Sequence, residues 1–152
     1  MTSFCMTGDD TFIINATPIH PQFADGDTVT IDFPNELCTL TTGKDSNTIY
    51  ALNEQGANFD VVFSVMRGGS VDKHLNGLKT NQTKDFVSFP LMTGAFTKRL
   101  GDGYGKVSYD TYVLRGMVFV NHSPAKGNVS GDGEQGKVEY RLKGALAVRG
   151  IS

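Results

Sequence analysis

The sequence lacks several features that would fix a function at once: it has no tryptophan, only two cysteines and no run of basic residues. Its longest apolar runs, such as residues 117–120 and 145–148, are four residues each, far short of the ~18 that a membrane-spanning helix requires. No transmembrane helix is expected. Lys and Arg number 14 against 16 Asp and Glu, a formal charge of −2. A chain built to grip nucleic acid through phosphates concentrates Lys and Arg instead. Residues 1–10 hold neither Lys nor Arg nor a hydrophobic stretch, so they do not read as a secretion signal. The Asn-x-Ser/Thr sequences at Asn15, Asn81, Asn121 and Asn128 are therefore expected to be ordinary loop asparagines, and Cys5 and Cys38 to be reduced, structural thiols.

What the chain has in excess is glycine, 18 of 152 residues, against a usual ~7%. Charged residues, at 20%, fall below the usual ~25%. Frequent turns and a weakly charged surface follow, with polarity carried by Thr, Asn and Ser. Such a surface suits a β-rich domain or a subunit covered by its neighbours.

Residues 1–24 read as an extended arm, since Pro18 and Pro21 oppose regular pairing nearby. The remainder, residues 25–152, reads as one domain. From Thr28 the period is two, with Val29, Ile31 and Phe33 on one side. Residues 37–41 and 48–52 flank a Gly/Asp/Ser/Asn cluster and predict a long hairpin with a projecting polar tip. Phe59, Val61, Phe63 and Val65 alternate again. The period then changes: Val71, Leu75 and Leu78 predict one short helix of about ten residues, capped by Ser70, with Asp72 and Lys79 matched to its dipole. Residues 86–91, 94–100, 106–120 and 137–148 return to strand character. The fold class is mainly β: an antiparallel β-sandwich or barrel with one short flanking α-helix and a long projecting hairpin. Residues 117–120, and 145–148 at the end of the last strand, are apolar on both faces. They ask for cover from the chain's own helix and arm or from another subunit.

Catalytic and ligand signals are weak. Gly131-Asp132-Gly133-Glu134-Gln135-Gly136 matches a dinucleotide fingerprint in letters only. It leads into a strand and places acids where an anion would sit. His20, His74 and His122 lack zinc-ligand spacing, and the pairs Asp9/Asp10 and Asp25/Asp27 lack the spacing of a calcium loop. No nucleophile elbow or acid–base pair appears. No catalytic residue, metal or cofactor is expected. A nucleic-acid stacking platform would interleave aromatics with Arg or Lys, and only Tyr112 and Arg115 approach that. A rival reading is a monomeric ligand- or carbohydrate-binding β-sandwich with a cleft lined by Tyr104 and Tyr112.

The order of segments does resemble a known family. An N-terminal arm leads to a strand ending in Phe33-Pro34-Asn35-Glu36-Leu37. There follow Leu40-Thr41-Thr42-Gly43-Lys44-Asp45-Ser46-Asn47, then Ile49-Tyr50-Ala51-Leu52-Asn53-Glu54-Gln55-Gly56. An aromatic-rich strand runs to Met66, and Arg67-Gly68-Gly69-Ser70-Val71-Asp72 opens the helix. This layout resembles the tail tube proteins of bacteriophages with contractile tails. The resemblance implies a virion structural protein without catalysis, made in the bacterial cytoplasm. Its hexameric rings would stack into a tube through which DNA passes without specific binding. Its partners would be other copies, then tail sheath and baseplate proteins, and no membrane. It further implies a subunit and ring interface at Asn35, Glu36, Thr42, Gly43, Lys44, Asp45, Ser46, Asn47 and Tyr50. A bore without a Lys/Arg lining would let a polyanion slide. The polar strand positions Thr30, Asp32, Asp60 and Ser64 are the lumen candidates.

Overall fold

β-Branched and aromatic residues dominate the period-two segments, and most of those segments are strands in the structure. A computed structural model describes residues 3–24, 29–125, 127, 129–131 and 133–152. Expectations placed on Thr28, Asp25, Asp27, Asn128 and Asp132 lie outside the described residues. The strands are β1 (Cys5–Ile14), β2 (Thr17–Pro18), β3 (Val29–Asp32), β4 (Cys38–Thr42), β5 (Thr48–Leu52), β6 (Phe59–Met66), β7 (Met92–Gly101), β8 (Val107–Phe119), β9 (Lys137–Gly144) and β10 (Leu146–Ile151). A single α-helix, α1 (Ser70–Lys84), stands among the described residues.

All named strand pairs are antiparallel. Eight strands make one sheet, with seven in the order β2-β1-β7-β8-β9-β6-β3 and β10 attached to β8; β4 and β5 form a separate hairpin. The mainly β, antiparallel class with a flanking helix and a separate hairpin is therefore observed. The 13-residue β8 serves two layers. Along most of its length it pairs with β7 and β10, and at Val118 and Phe119 it pairs with β9. The sheet folds over along this strand, bringing β1 against β6: the rings of Phe12 and Phe63 lie 5.2 Å apart.

The core sits between these layers. Phe12 and Ile14 of β1, Leu114 and Met117 of β8, and Phe59, Val61, Phe63 and Val65 of β6 are all buried. Tyr140 and Leu142 of β9 and Val71 and Leu75 of α1 close it on the other side. At Gly144 a Cβ would lie 2.1 Å from the Phe59 ring, its cross-strand partner. Glycine is the residue that admits this close approach.

Four sequence expectations are corrected. The described part of the expected 1–24 arm is not outside the fold: β1 pairs with β7 at Cys5, Met6 and Asp10–Ile14, and Phe12, Ile14 and Ile19 are fully buried. Pro18 lies in the two-residue edge strand β2 and Pro21 in a short 3₁₀ turn (His20–Gln22), where a missing N–H costs little. The helix is 15 residues long, and its N-cap is Gly69. Ser70 Oγ instead accepts from Gln22 Nε2 at 2.7 Å, and Gln22 Oε1 accepts from the Val71 N–H. The helix thus takes its cap from the N-terminal segment. Residues 86–91 form a turn, with Ser88 N–H donating to Asp85 Oδ1 and Pro90 lacking a donor. Residues 137–148 are two strands, because the chain breaks at Ala145 and β10 crosses to β8.

Two polar contacts lock the helix to the sheet. The carboxamide of Gln82, itself buried, donates to Phe119 O at 2.8 Å and accepts from Phe119 N–H at 2.9 Å. It acts as one more strand position at the end of β8. The Tyr140 hydroxyl donates to Asp72, whose other oxygen accepts from the Gly68 N–H. Lys79 lies over the Tyr140 ring at 5.6 Å.

Gln82→Ala leaves the Phe119 N–H and C=O without those partners and is expected to lower unfolding free energy by about 2–4 kcal/mol in urea titration. Burial, then the Asp72 hydrogen bond, raise the Tyr140 pKa above its ordinary value. The fold therefore favours the neutral phenol, and this contribution is intact below about pH 10 and lost as pH rises through the folded pKa. Tyr140→Phe is expected to cost about 1–2 kcal/mol at pH 7. It should also flatten the alkaline loss of stability that melts record as pH rises above about 10.

Candidate assembly surfaces

Among the described residues, no further strand pairs with the β4–β5 hairpin. Cross-strand pairs Cys38–Leu52, Leu40–Tyr50 and Thr42–Thr48 share one face, and Thr39–Ala51 and Thr41–Ile49 the other. Leu40, Ile49, Tyr50 and Leu52 are 60–76% exposed. An isolated two-stranded hairpin is marginal in water. Covering a large apolar side chain stabilises by ~1.5–3 kcal/mol, so this face gains most when something lies on it. The tip is polar, as its sequence implies: Gly43 N–H donates to Asn47 O at 2.7 Å, and Ser46 holds a left-handed conformation at φ 63°. The base is braced. Asn53 Nδ2 donates to Glu36 O, Asn35 Nδ2 donates to Gln55 O, and a Cβ on Gly56 would meet the Leu37 Cα at 2.9 Å. Asn35 and Glu36 thus sit at the root, residues 42–47 at the tip, and Tyr50 in the stem. The apolar stem residues Leu40, Ile49 and Leu52 are absent from the sequence-derived list. The apolar residues at 38, 40 and 49–52 were the available signal.

A second surface is the layer β1-β7-β8-β10. Its two outside edges are open. β2 covers β1 only at Ile13 and Ile14, leaving Cys5–Asp10 uncovered on that side. Ser152 and Tyr109 exchange both backbone hydrogen bonds. By the antiparallel alternation, Ala147, Arg149 and Ile151 aim N–H and C=O at the other edge. The bare face of the layer carries a row Ile13–Ala95–Val113–Val148 and a row Thr11–Thr97–Thr111–Gly150. Leu146 and Val148 are exposed, so the chain's own helix and N-terminal segment do not supply the cover that this apolar stretch asks for. On the core-side face of the layer, Asp110 accepts two hydrogen bonds from Arg149, at 2.8 and 2.9 Å, which hold its pKa low. Asp10 pairs with Lys98 at 3.0 Å.

The proposed lumen residues Thr30, Asp32, Asp60 and Ser64 do come together, on the outward face of β3-β6-β9. Arg141 and Lys143 share that face, with Lys143 4.0 Å from Asp60 and Arg141 2.9 Å from Glu139. Cys5 and Cys38 are free and exposed. Tyr112 and Arg115 point to opposite faces of β8, and Tyr112 is covered by the Arg149 guanidinium at 5.7 Å. Tyr104 stands exposed in the β7–β8 turn. His20 Nδ1 lies 3.4 Å from both the backbone N and the backbone O of Phe12.

No family model and no curated protein sequence matches the chain. Solved structures do. A chain of the anti-feeding prophage tube-terminating cap superposes with a TM-score of 0.62 at 9% identity, over 96% of this chain and 90% of that one. A chain of the PVC sheath–tube complex, from an extracellular contractile injection system in its extended state, gives 0.63 at 10% identity, over 94% and 88%. A chain of the PVC sheath/tube terminator gives 0.57 at 11% identity, over 93% and 92%. At these identities the likeness is one of fold, and the fold is that of chains in the tube, cap and terminator assemblies of contractile injection systems.

Proposed function

We propose that the chain is a non-catalytic structural subunit that forms hexameric rings stacked into the tube of a contractile phage tail. The observation that carries this reading is the pair of open edges on β1-β7-β8-β10. Neighbouring strands of the layer alternate in direction, so β1 and β10 run oppositely. The β10 edge of one copy therefore meets the β1 edge of the next as an antiparallel pair, and the alternation continues around a ring. Unpaired edges invite such pairing. The edges are also staggered: β10 lies level with residues 93–98 of β7, and the open part of β1 level with residues 98–101. Bringing them together shifts each copy by about four residues, ~13 Å, across four strands, ~19 Å. The resulting tilt of about 35° is what closed barrels require.

In this ring the core and helix stay outside and the bare face turns to the axis. The bore is then lined by the Thr11–Thr97–Thr111 and Ile13–Ala95–Val113–Val148 rows. Thr30, Asp32, Asp60 and Ser64 lie across the core, on the tube's exterior, so the lumen assignment moves from them to the bare face. The exterior is where a sheath would bind, and the ends of the stack where a baseplate would. The hairpin reaches to an adjacent copy, its apolar stem covered there and its tip residues 42–47 at the contact. Head-to-tail contacts that do not close then extend rings into a stack. The fold shared with chains of injection-tube assemblies supports the same reading.

Light scattering and negative-stain microscopy of the purified chain test it, with rings or rods expected as concentration rises. Ala147→Pro removes an edge N–H that makes no bond with the described residues. Tyr50→Asp places a charge in the hairpin stem. Each is expected to raise the assembly threshold at least ~10-fold, about 1.4 kcal/mol, with unchanged β circular dichroism. A wild-type chain that stays monomeric at millimolar concentration overturns the reading.

A further inference from the structure

In the ring proposed above, on which this inference rests, β10 of one copy and the open edge of β1 of the next have several registers open to them. A slip of two residues keeps every side chain on its own face, so alternation does not choose among them. β10 does not choose either. It pairs with β8 from Leu146 to Ile151 without a shift, and its outward groups, on Ala147, Arg149 and Ile151, recur evenly.

The irregularity is on β1. Met6 lies opposite Leu100 and Asp10 opposite Lys98, so residues 7–9 stand against the single residue Arg99. Bulges of this kind concentrate at sheet edges and barrel rims. Lys98 Nζ clasps this one at both ends, donating to Asp10 Oδ1 at 3.0 Å and to Thr7 O at 3.3 Å. Because two residues are inserted rather than one, the faces are kept: Cys5 stays on the bare face with Thr11, and Met6 on the core-side face with Asp10.

Backbone directions follow from the bonds already made. Asn15 N–H donates to Thr93 O across the β1–β7 pair, whereas Phe12 O accepts from Ile19 N–H on the other side. By alternation Asp10 aims outward with Phe12, and beyond the bulge Cys5 aims at Gly101 and Met6 outward. The outer side of β1 is closed from Phe12 onward, by Ile19 at Phe12 and by β2 at Ile13 and Ile14. A neighbouring strand reaches Thr11 and goes no farther.

We infer that β10 seats on β1 of the next copy in one register, with Arg149 opposite Met6, Ala147 opposite Asp10 and Gly150 opposite Cys5, and that β2 and Ile19 are the stop that sets it. Outward groups then meet outward groups, bare face continues into bare face, Val148 stands against the bulge, and Leu146 ends at Thr11. Sliding β10 two residues toward Ile14 drives Leu146 onto Ile13, where Pro18 of β2 already pairs. Sliding it two residues the other way carries Arg149 and Ile151 beyond the start of β1 at Cys5. The stagger of the remaining register is the four residues that tilt the wall by about 35°.

Native Cys5 makes the register measurable. Val148, Gly150 and Ser152 share the bare face, and a Cβ at Gly150 meets nothing within 4 Å. Position 150 and Cys5 form a non-hydrogen-bonded pair with Cα atoms about 4.5 Å apart, within disulfide reach. A shift of two residues, ~6.8 Å along the strand, takes the pair past the ~7 Å limit.

Gly150→Cys, Val148→Cys and Ser152→Cys, each made with Cys38→Ser, are mixed into an excess of Cys38→Ser chains, so that the rings are built mainly from unaltered edges. Rings or rods are verified by microscopy, thiols are oxidised with diamide, and covalent dimers are read by non-reducing electrophoresis. In assembled samples Gly150→Cys should give at least ~10-fold more dimer than either other variant, and below the assembly threshold no more than they do. An excess at Val148→Cys or Ser152→Cys puts β10 two residues away and overturns the register while leaving the ring reading intact. Rings with equal yields at all three positions, or with none, overturn it too. A chain that forms no rings overturns the ring reading and this register with it.

Discussion

Backbone hydrogen bonds that a strand cannot complete within its own chain are the constraint on which this structure turns. The layer β1-β7-β8-β10 leaves such groups along Cys5–Asp10 on one side and at Ala147, Arg149 and Ile151 on the other. In a monomer, water satisfies them, and each edge is a template for unwanted pairing. The two edges face opposite ways, run in opposite directions and are staggered. A rotation can therefore use one to satisfy the other. A barrel built from many chains removes its edges as a barrel from one chain does.

The rest of the fold holds this layer rigid. The Phe12–Phe63 contact joins it to β6, and the helix is pinned through Gln82 to the end of β8 and through Asp72 to Tyr140 on β9. The N-terminal segment supplies both a wall strand and, through Gln22, the helix cap. One element thus couples the layer to the helix on the far side of the core. The hairpin, by contrast, is attached to the described residues only at its root, which suits a part whose apolar face is completed elsewhere.

Much of this architecture is legible in the residues. Period-two alternation at Phe59–Val65 marks a strand with one buried face, and the helix shows itself at Val71, Leu75 and Leu78. The helix length is not legible, because its last turn is held by Gln82, a tertiary contact that a local pattern does not carry. The N-terminal strand is hidden for a related reason: Pro18 and Pro21 look like breakers, yet they fall at a sheet edge and in a turn. The break at Ala145 is harder to read, since residues 137–143 alternate and residues 145–148 keep strand character, and only the crossing of β10 to β8 separates them. Of the candidate site, the hairpin was visible through its turn residues. The lumen was not. Sequence alternation says that a strand has two faces, but which sheet has open edges is a property of topology.

Amide hydrogen exchange resolved by residue, compared between the dispersed chain and the assembled particle, tests the edge-pairing claim most directly. The account predicts that the Ala147, Arg149 and Ile151 amides and those of Cys5–Asp10 become strongly protected on assembly, while β6 amides, already paired on both sides, change little. Particles in which the edge amides exchange as fast as in the dispersed chain would contradict it.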